Sequence, residues 1–234
     1  MTERPNFDEE ELSVISELGF LLISGNTNTS TTAAKLNISQ ELQTWSYQLV
    51  GDFLYTQSES EVDGKTEDVA SAQKLFLSSQ FDYKFTDTNN RLFVYSDFER
   101  DRFNDYRYQA ALAAGWSSRL WNNEQSELRY SIGPGYSISD EMPDTITEDQ
   151  NGFIVRAAME YKCKISPQAT FRQYLSTEAD NEYTRTKSES SLSTRLSGAL
   201  AMKLSIILNH DSGINNTDEE LDTEAAVTLV YQFL

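Results

Sequence analysis

The dominant pattern of this chain is an alternation between apolar and polar residues. It is clearest near residues 126–139, where every second position is apolar: Leu128, Tyr130, Ile132, Pro134, Tyr136 and Ile138. Charged, hydroxyl and glycine residues fill the positions between them. Successive side chains of a β-strand point to opposite faces, so this period of two predicts a strand with one apolar and one polar face. The same alternation recurs from residue 12 almost to the last residue.

Following this period along the chain predicts twelve strands. They run near residues 12–24, 30–42, 45–57, 69–86, 91–102, 106–121, 126–139, 152–166, 169–179, 183–197, 199–210 and 223–233. Segment 183–197 has the weakest signal, because its apolar face is mostly Thr and Ser. The links between strands alternate between tight turns and mostly longer loops, which is typical of outer-membrane barrels. With both termini on the short-turn, periplasmic side, the strand number must be even, as it is here.

Charge predicts which face points inward. The polar positions carry basic and acidic residues in nearly equal number, whereas the other face carries Trp, Tyr, Phe and Leu. Twelve strands enclose a space too wide for a simple apolar core, and opposite charges suit a wet interior. Aromatic residues near strand ends, such as Trp45 and Trp116, suit the two membrane interfaces. The sequence therefore predicts an all-β fold: one closed antiparallel transmembrane β-barrel over residues 12–234.

A soluble β-sandwich, or a soluble barrel with an apolar interior, is the alternative fold. Such folds usually have strands of about five to six residues. The segments here repeatedly sustain about ten or more, the length that a tilted membrane strand requires. A helical membrane protein is excluded, because the mean hydropathy is -0.54 and no apolar run approaches the roughly 20 residues of a spanning helix.

The net charge of -18 argues against nucleic acid as a partner. The excess negative charge lies in residues 1–11, which we expect to form a solvated acidic arm, and in the links near residues 59–68, 140–149 and 218–222. Residues 1–7 hold no apolar stretch typical of a signal peptide, so we expect a leader that has been removed. The single cysteine, Cys163, permits no internal disulfide.

The densest charge cluster is a run of four residues at the end of the fifth predicted strand. Rings of charged side chains filter ions in pores, so this cluster and other charges of the polar face are candidates for a constriction. The candidate lumen residues are Glu99, Arg100, Asp101, Arg102, Arg107, Arg129, Arg156 and Glu160. The alternative, which we favour for the four-residue run, is a structural salt-bridge network across neighbouring strands.

The acidic loops offer oxygen ligands that suit divalent cations. The candidates are Asp63, Glu67, Asp68, Asp218, Glu219, Glu220 and Asp222. Neither run matches the spaced carboxylate pattern of a calcium-binding loop. We therefore expect solvated loop charge, bridged through cations to lipopolysaccharide and other outer-membrane lipid, in preference to a discrete metal site. We expect no cofactor.

The one histidine, His210, is the weak candidate for catalysis. It lies close to a loop, is followed by Asp211, and shares the apolar face of its strand. A lipid hydrolase of the membrane would need a Ser within hydrogen-bond reach of this base. The alternative is a histidine at the level of the lipid headgroups, and we expect no enzyme.

Several blocks of the chain resemble one bacterial family, the salt-induced outer-membrane proteins, whose function is not established. The blocks are 17–20 with 24–28, 99–103 with 108–110, 133–136, and 226–231. The resemblance runs from about residue 12 to the end and implies a barrel in the bacterial outer membrane, without catalytic residues. The final strand, with Phe233 near its end, also resembles the assembly signal of bacterial outer-membrane proteins, although Leu234 follows where a terminal Phe is customary.

Three functions remain open at this point. The first is a narrow or plugged passive channel, linked by the family's name to envelope and osmotic stress. The second is a non-conducting structural barrel, or a subunit of an envelope complex whose protein partner contacts the arm or loops. The third is a lipid-modifying enzyme that uses His210.

Overall fold

The chain folds almost entirely as β-strands in a computed structural model. The structure describes residues 12–23, 29–62, 65–86, 89–102, 106–141, 151–181, 183–212 and 221–233. These residues form twelve strands: β1 (Leu12–Ile23), β2 (Thr29–Glu41), β3 (Trp45–Val62), β4 (Lys65–Lys84), β5 (Asn90–Asp101), β6 (Tyr106–Asn122), β7 (Ser126–Glu141), β8 (Gly152–Lys164), β9 (Ala169–Ala179), β10 (Thr184–Ser197), β11 (Leu200–Asp211) and β12 (Leu221–Gln232). Across this part of the chain, no helix has the length and apolar character needed to cross a membrane.

The twelve strands close into one antiparallel barrel. Each strand pairs with its neighbour in sequence, and β12 returns to pair with β1. The closing seam is the shortest, running from the pair Ile15–Gln232 to the pair Leu18–Leu229, whereas β1 pairs with β2 along its whole length. The predicted fold class is therefore confirmed. We call the end that carries the links 42–44 and 198–199 the turn end, and the opposite end, where β1 leads into β2, the loop end.

Only one hairpin departs from the predicted strand ends by more than two residues. The sequence predicts a long loop over residues 58–68, but β3 continues to Val62 and β4 begins at Lys65. The extra pairs include Glu59 with Asp68 and Glu61 with Thr66. The prediction was wrong here because backbone pairing extends the hairpin through a stretch whose acidic residues hide the apolar alternation.

The two faces of the wall differ as the alternation predicts. Large apolar side chains cover the outside, and Phe20, Leu112 and Leu229 each expose half or more of their surface. Charged side chains point inward, where Lys84, Arg91 and Glu189 are buried. The charged face of each strand therefore surrounds the interior, which determines where a functional site can lie.

The weakly predicted strand β10 uses hydrogen bonds where other strands use apolar side chains. On its outer face, Thr186 lies 3.0 Å from Thr177 of β9 through their hydroxyl groups. The amide of Gln173, also on β9, donates to the hydroxyl of Ser188 at 3.0 Å. A polar group away from water is tolerated when it is hydrogen-bonded. These bonds explain how a Ser- and Thr-rich face serves in the outer surface of the barrel.

The backbones of β6 and β7 approach each other closely at Gly115 and Gly133. A Cβ atom added to Gly133 would lie 2.2 Å from the carbonyl oxygen of Ala114, and one added to Gly115 would lie 2.3 Å from that of Ile132. Glycine is the residue that permits such a close approach of two backbones. The pair brings β6 and β7 together on the side of the barrel whose interior is filled.

Candidate functional site

Side chains fill the interior along β5–β8. Phe93, Tyr95 and Ala113 form one buried cluster. Beside it lies Arg156, which is only 1% exposed. Its guanidinium stacks on the Tyr95 ring at 3.5 Å from the centroid. A buried cation stacked on an aromatic ring is stabilised by the ring's electron density. This half of the barrel is therefore packed like a core, although its centre is an arginine.

Arg156 is also held by two neighbours on β9. Its Nε lies 3.3 Å from a carboxylate oxygen of Glu178, and its Nη2 donates to the hydroxyl of Tyr174 at 3.1 Å. A buried charge is stable only when it is paired and hydrogen-bonded. Arg156 thus joins the packed half of the interior to the open half.

The open half holds a cavity of about 370 Å³. Its lining begins with Ile15, Thr170 and Ser193 near the turn end and continues to Asp101 and Asp222 at the loop end. Most of the lining comes from β1–β5 and β8–β12. The cavity therefore extends along the barrel axis, beside the packed half.

A network of salt bridges begins at the turn end of this interior. The carboxylate of Glu41 lies 3.0 Å from Lys84, 2.6 Å from Arg91 and 3.3 Å from Arg119. Arg119 also lies 3.0 Å from Glu127. One carboxylate thus holds cations from β4, β5 and β6 together.

The network continues around the wall through two further carboxylates. Glu160 lies 3.1 Å from Arg129, 3.4 Å from Lys162 and 2.6 Å from Arg172. Glu189 lies 3.3 Å from Arg172 and 3.5 Å from both Lys35 and Lys203. The branches end where Lys203 meets Glu17 at 2.6 Å and Lys35 meets Asp52 at 3.7 Å. Arg129 also links to Glu127 at 3.1 Å. One continuous network thus includes residues of strands β1–β11.

Cations outnumber carboxylates in this network. Its eight bases are Lys35, Lys84, Arg91, Arg119, Arg129, Lys162, Arg172 and Lys203, and its six acids are Glu17, Glu41, Asp52, Glu127, Glu160 and Glu189. Glu41, Glu160 and Glu189 each serve three bases. The formal charge of the network is therefore +8 − 6 = +2.

Strand β10 reaches across the interior near the loop end. Arg185 lies 2.8 Å from Glu178 and 3.8 Å from Asp97 on the other side of the lumen, and its Nη1 donates to Gln109 at 2.7 Å. Two residues further along, the Lys187 ammonium lies 4.9 Å from the centroid of the Phe76 ring on β4. The contacts of Arg185 with Asp97 and of Lys187 with Phe76 reach across the interior, so side chains span the lumen beside β10.

The structure separates the predicted lumen residues into two groups. Glu99 pairs with Lys74 at 3.1 Å, and Glu99 and Asp101 both line the cavity. Arg100 lies opposite Leu75, a residue of the outer face, and is exposed, as is Arg102 beyond the end of β5. Alternation explains this, because neighbours along a strand face opposite sides. The four-residue run therefore does not form one cluster.

The remaining candidates also differ in place. Arg129, Arg156 and Glu160 lie in the interior. Arg107 lies at an irregularity in the pairing of β6 with β7 and meets Asp140 at 3.0 Å, with half of its side chain exposed. The sequence analysis did not name Glu41, Glu189, Arg185 or Lys187 as candidate lumen residues, although all four lie on the charged face.

The loop candidates for cation binding fall mostly where no geometry is described. Asp63, Asp218, Glu219 and Glu220 lie outside the described residues, as does the acidic arm over residues 1–11. Glu67 and Asp68 belong to β4, but their side chains are not described. Asp222 is exposed at the cavity mouth. Where the structure describes the chain, no group of three or more His, Cys, Asp or Glu could hold a metal. Cation binding by the loops stays a prediction.

His210 lies near the loop end of β11. Its register partners are Thr186 and Leu221, and Leu221 belongs to the outer face. Asp211 follows on the opposite side of the strand, since neighbouring side chains alternate. Both residues nevertheless border the cavity at the loop end.

A family model identifies the chain. The family described as protein of unknown function, DUF481, matches residues 16–233. The chain belongs to the DUF481 family. The match shows an uncharacterised family, and the resemblance to the salt-induced outer-membrane proteins stays a prediction from the sequence. This DUF481 member is similar in sequence to the uncharacterized protein YdiY of Escherichia coli (strain K12). The two are 25% identical over 214 residues, which cover 91% of this chain and 80% of YdiY.

Solved structures resemble this DUF481 chain in fold. An outer-membrane channel from Pseudomonas putida F1 aligns with a TM-score of 0.53 and 11% identity, over 99% of this chain and 100% of the channel. The NanC porin aligns with a TM-score of 0.53 and 11% identity, over 95% of this chain and 100% of the porin. At such low identity the likeness concerns the fold, which is that of outer-membrane β-barrels.

Proposed function

We propose that this chain is a β-barrel of the bacterial outer membrane whose narrow lumen passes small solutes passively. The observation that carries the proposal is the charged cavity of about 370 Å³ that extends along the barrel axis. Charged and hydroxyl side chains keep such a lumen wet, and passage then needs no chemistry by the protein. The channel and the porin with similar folds support the proposal by analogy.

Two bands of aromatic side chains support the membrane location. At the turn end, the outer face carries the contacting pairs Trp45–Tyr83 and Phe85–Trp116, with ring centroids 4.9 and 5.4 Å apart. Toward the loop end, Tyr136 contacts Phe153 at 5.3 Å. Aromatic girdles at both interfaces are typical of transmembrane barrels. We accordingly propose that the turn end is periplasmic and that lipid and lipopolysaccharide surround the wall.

An arginine on the outer face tests this location. Ile206 lies midway along β11 and faces outward. Ile206→Arg is expected to lower the free energy of unfolding from lipid vesicles by about 2–4 kcal/mol, the usual cost of a cation at the bilayer centre. Leu221→Arg, on the same face at the loop end, is the control and should cost about 0–1 kcal/mol. Equal effects of the two substitutions would place the bilayer elsewhere.

Planar-bilayer recording tests the channel itself. Folded protein is expected to give small, voltage-independent current steps, because the open half of the lumen is narrow and its lining is held by salt bridges. Correct folding is checked by the heat-modifiable gel mobility of the same sample. A well-folded sample that gives no current above background rules out the channel.

The salt-bridge network favours a second function, a non-conducting structural barrel. It links β2 to β10 across the interior through Lys35 and Glu189 at 3.5 Å, and in this reading the side chains leave too little room for ions to pass. Such a barrel would act through a protein partner of the envelope at its loops or arm. The absence of current, together with co-purification of an envelope protein, would support it. Neither function gives His210 a catalytic role.

The link to salt or osmotic stress rests on the resemblance to the salt-induced outer-membrane proteins. A passive pore of this width would let small solutes equilibrate across the outer membrane. Growth at high salt of a strain that lacks the protein is the measurement that bears on it, and unimpaired growth and recovery would remove the stress role.

A further inference from the structure

Lys187 differs from the other cations that line the cavity. Lys35, Lys74, Lys162, Arg172, Arg185 and Lys203 each form a salt bridge with a carboxylate. Lys187 forms none with the carboxylates that the structure describes, and its closest recorded contact is the face of Phe76. An ammonium without a carboxylate partner at this point leaves a positive charge facing the part of the lumen that side chains span.

Its surroundings add to this charge. Lys35 and Lys74 are close enough to Lys187 to interact with it electrostatically, as are the carboxylates of Glu99 and Asp52. Those two carboxylates are already occupied, Glu99 by Lys74 at 3.1 Å and Asp52 by Lys35 at 3.7 Å. The paired charges largely cancel at a distance. Glu224 of β12 lines the same part of the lumen and interacts electrostatically with Lys74, so it offsets part of the positive charge that Lys187 adds there.

The deeper network has the same sign. It carries a formal charge of +2, because Glu41, Glu160 and Glu189 each serve three bases. Asp82 is a buried carboxylate in the same space as Arg91 and Arg119, and it reduces this surplus to about +1. An ion that passes Lys187 toward the turn end therefore meets a second region with a small surplus of positive charge. A cation is repelled along this path, whereas an anion is not.

The acidic residues near the loop end act on a different part of the path. Asp101, Asp211 and Asp222 line the cavity there, and Asp222 is exposed to solvent. Water and salt screen charges in a wide mouth over a Debye length of about 10 Å at 0.1 M salt. A narrow constriction is screened less, because an ion there approaches the wall directly. The constriction therefore determines selectivity, and the acidic mouth reduces the rate at which anions enter.

We propose that Lys187 is the selectivity residue of an anion pathway, and that small anions such as chloride or a small carboxylate are what the lumen passes. The inference rests on the proposed channel function and adds its substrate class. An anion that has passed the acidic mouth is attracted by the Lys187 ammonium and continues along the surplus bases of the network. The barrel thus passes anions although the net charge of the chain is -18.

The test is the reversal potential of folded protein in a planar bilayer that separates two KCl solutions of different concentration, both on the order of 0.1 M. Wild-type protein should favour chloride over potassium by about fivefold, the effect expected of one unit charge within about 8 Å of the permeating ion. Lys187→Gln should bring the ratio close to one, and Lys187→Arg should retain the wild-type ratio. Lys164→Gln, which removes the same charge from an exposed site at the turn end of β8, should leave it unchanged.

The outcomes separate this inference from the channel proposal. A current that favours potassium, or a chloride preference that Lys187→Gln and Lys164→Gln reduce equally, overturns the role of Lys187 while the channel stands. The absence of any current from folded wild-type protein overturns both. The wild-type measurement decides the sign of selectivity even if Lys187→Gln fails to fold, and Lys187→Arg then tests the position with its charge kept.

Discussion

Replacing Gly133 with alanine is expected to prevent the barrel from closing normally. The new Cβ would lie 2.2 Å from the carbonyl oxygen of Ala114 and 2.8 Å from the Cα of Gly115, and both atoms belong to the backbone of β6. A flexible side chain could move away, but here the two strands must separate, which breaks their pairing. We expect a loss of more than about 3 kcal/mol, beyond the usual cost of overpacking. Heat-modifiable gel mobility and urea unfolding in vesicles measure it.

Gly51 provides the matched control for Gly133. A Cβ added to Gly51 would meet only the Leu77 side chain, at the ordinary contact distance of 3.5 Å. Gly51→Ala should therefore fold with wild-type stability, to within about 0.5 kcal/mol. If both alanine variants fold equally well, the close approach of β6 and β7 is not a requirement of the fold.

The strands could be predicted because the physics that forms them is local. Each strand of a barrel has one apolar and one polar face, so apolar and polar residues alternate along it, as they do from Leu128 to Ile138. The extension of the hairpin of β3 and β4 was not predicted, because its outer part, where Glu59 pairs with Asp68, has no alternating apolar residues. Its pairing comes from backbone hydrogen bonds, which the side-chain pattern does not report.

The interior could be predicted only in composition. Alternation is enough to assign Glu160 and Arg129 to the charged face, but their meeting depends on which residues lie side by side after closure. Register and strand tilt set this, and neither is visible in one strand. The run of four charged residues at 99–102 was a misleading guide to a charge cluster. Glu99 and Arg100 are adjacent in the chain, yet their side chains face opposite sides of the wall. Glu189 is central because β10 passes near Lys35, 154 residues earlier.

Neutralising Glu160 is expected to have the largest effect of any charge substitution in the lumen. Its carboxylate is 12% exposed and lies within 3.4 Å of three cations: Arg129, Lys162 and Arg172. Glu160→Gln keeps the shape of the side chain but leaves these cations to repel one another. Removal of one partner from a buried ion pair costs about 3–5 kcal/mol. We expect about 3 kcal/mol by urea unfolding in vesicles, because Arg129 and Arg172 keep Glu127 and Glu189 as partners.

Asp140→Asn separates this electrostatic effect from the loss of an ordinary salt bridge. Asp140 meets Arg107 at 3.0 Å, but their side chains are 36% and 50% exposed. Such a pair contributes at most about 1 kcal/mol. Repulsion among the cations around Glu160 should also weaken in about 1 M salt, where the Debye length is about 3 Å. The loss in Glu160→Gln should therefore shrink at high salt. An effect equal to that of Asp140→Asn, or one insensitive to salt, would mean that packing and not charge holds this part of the lumen together.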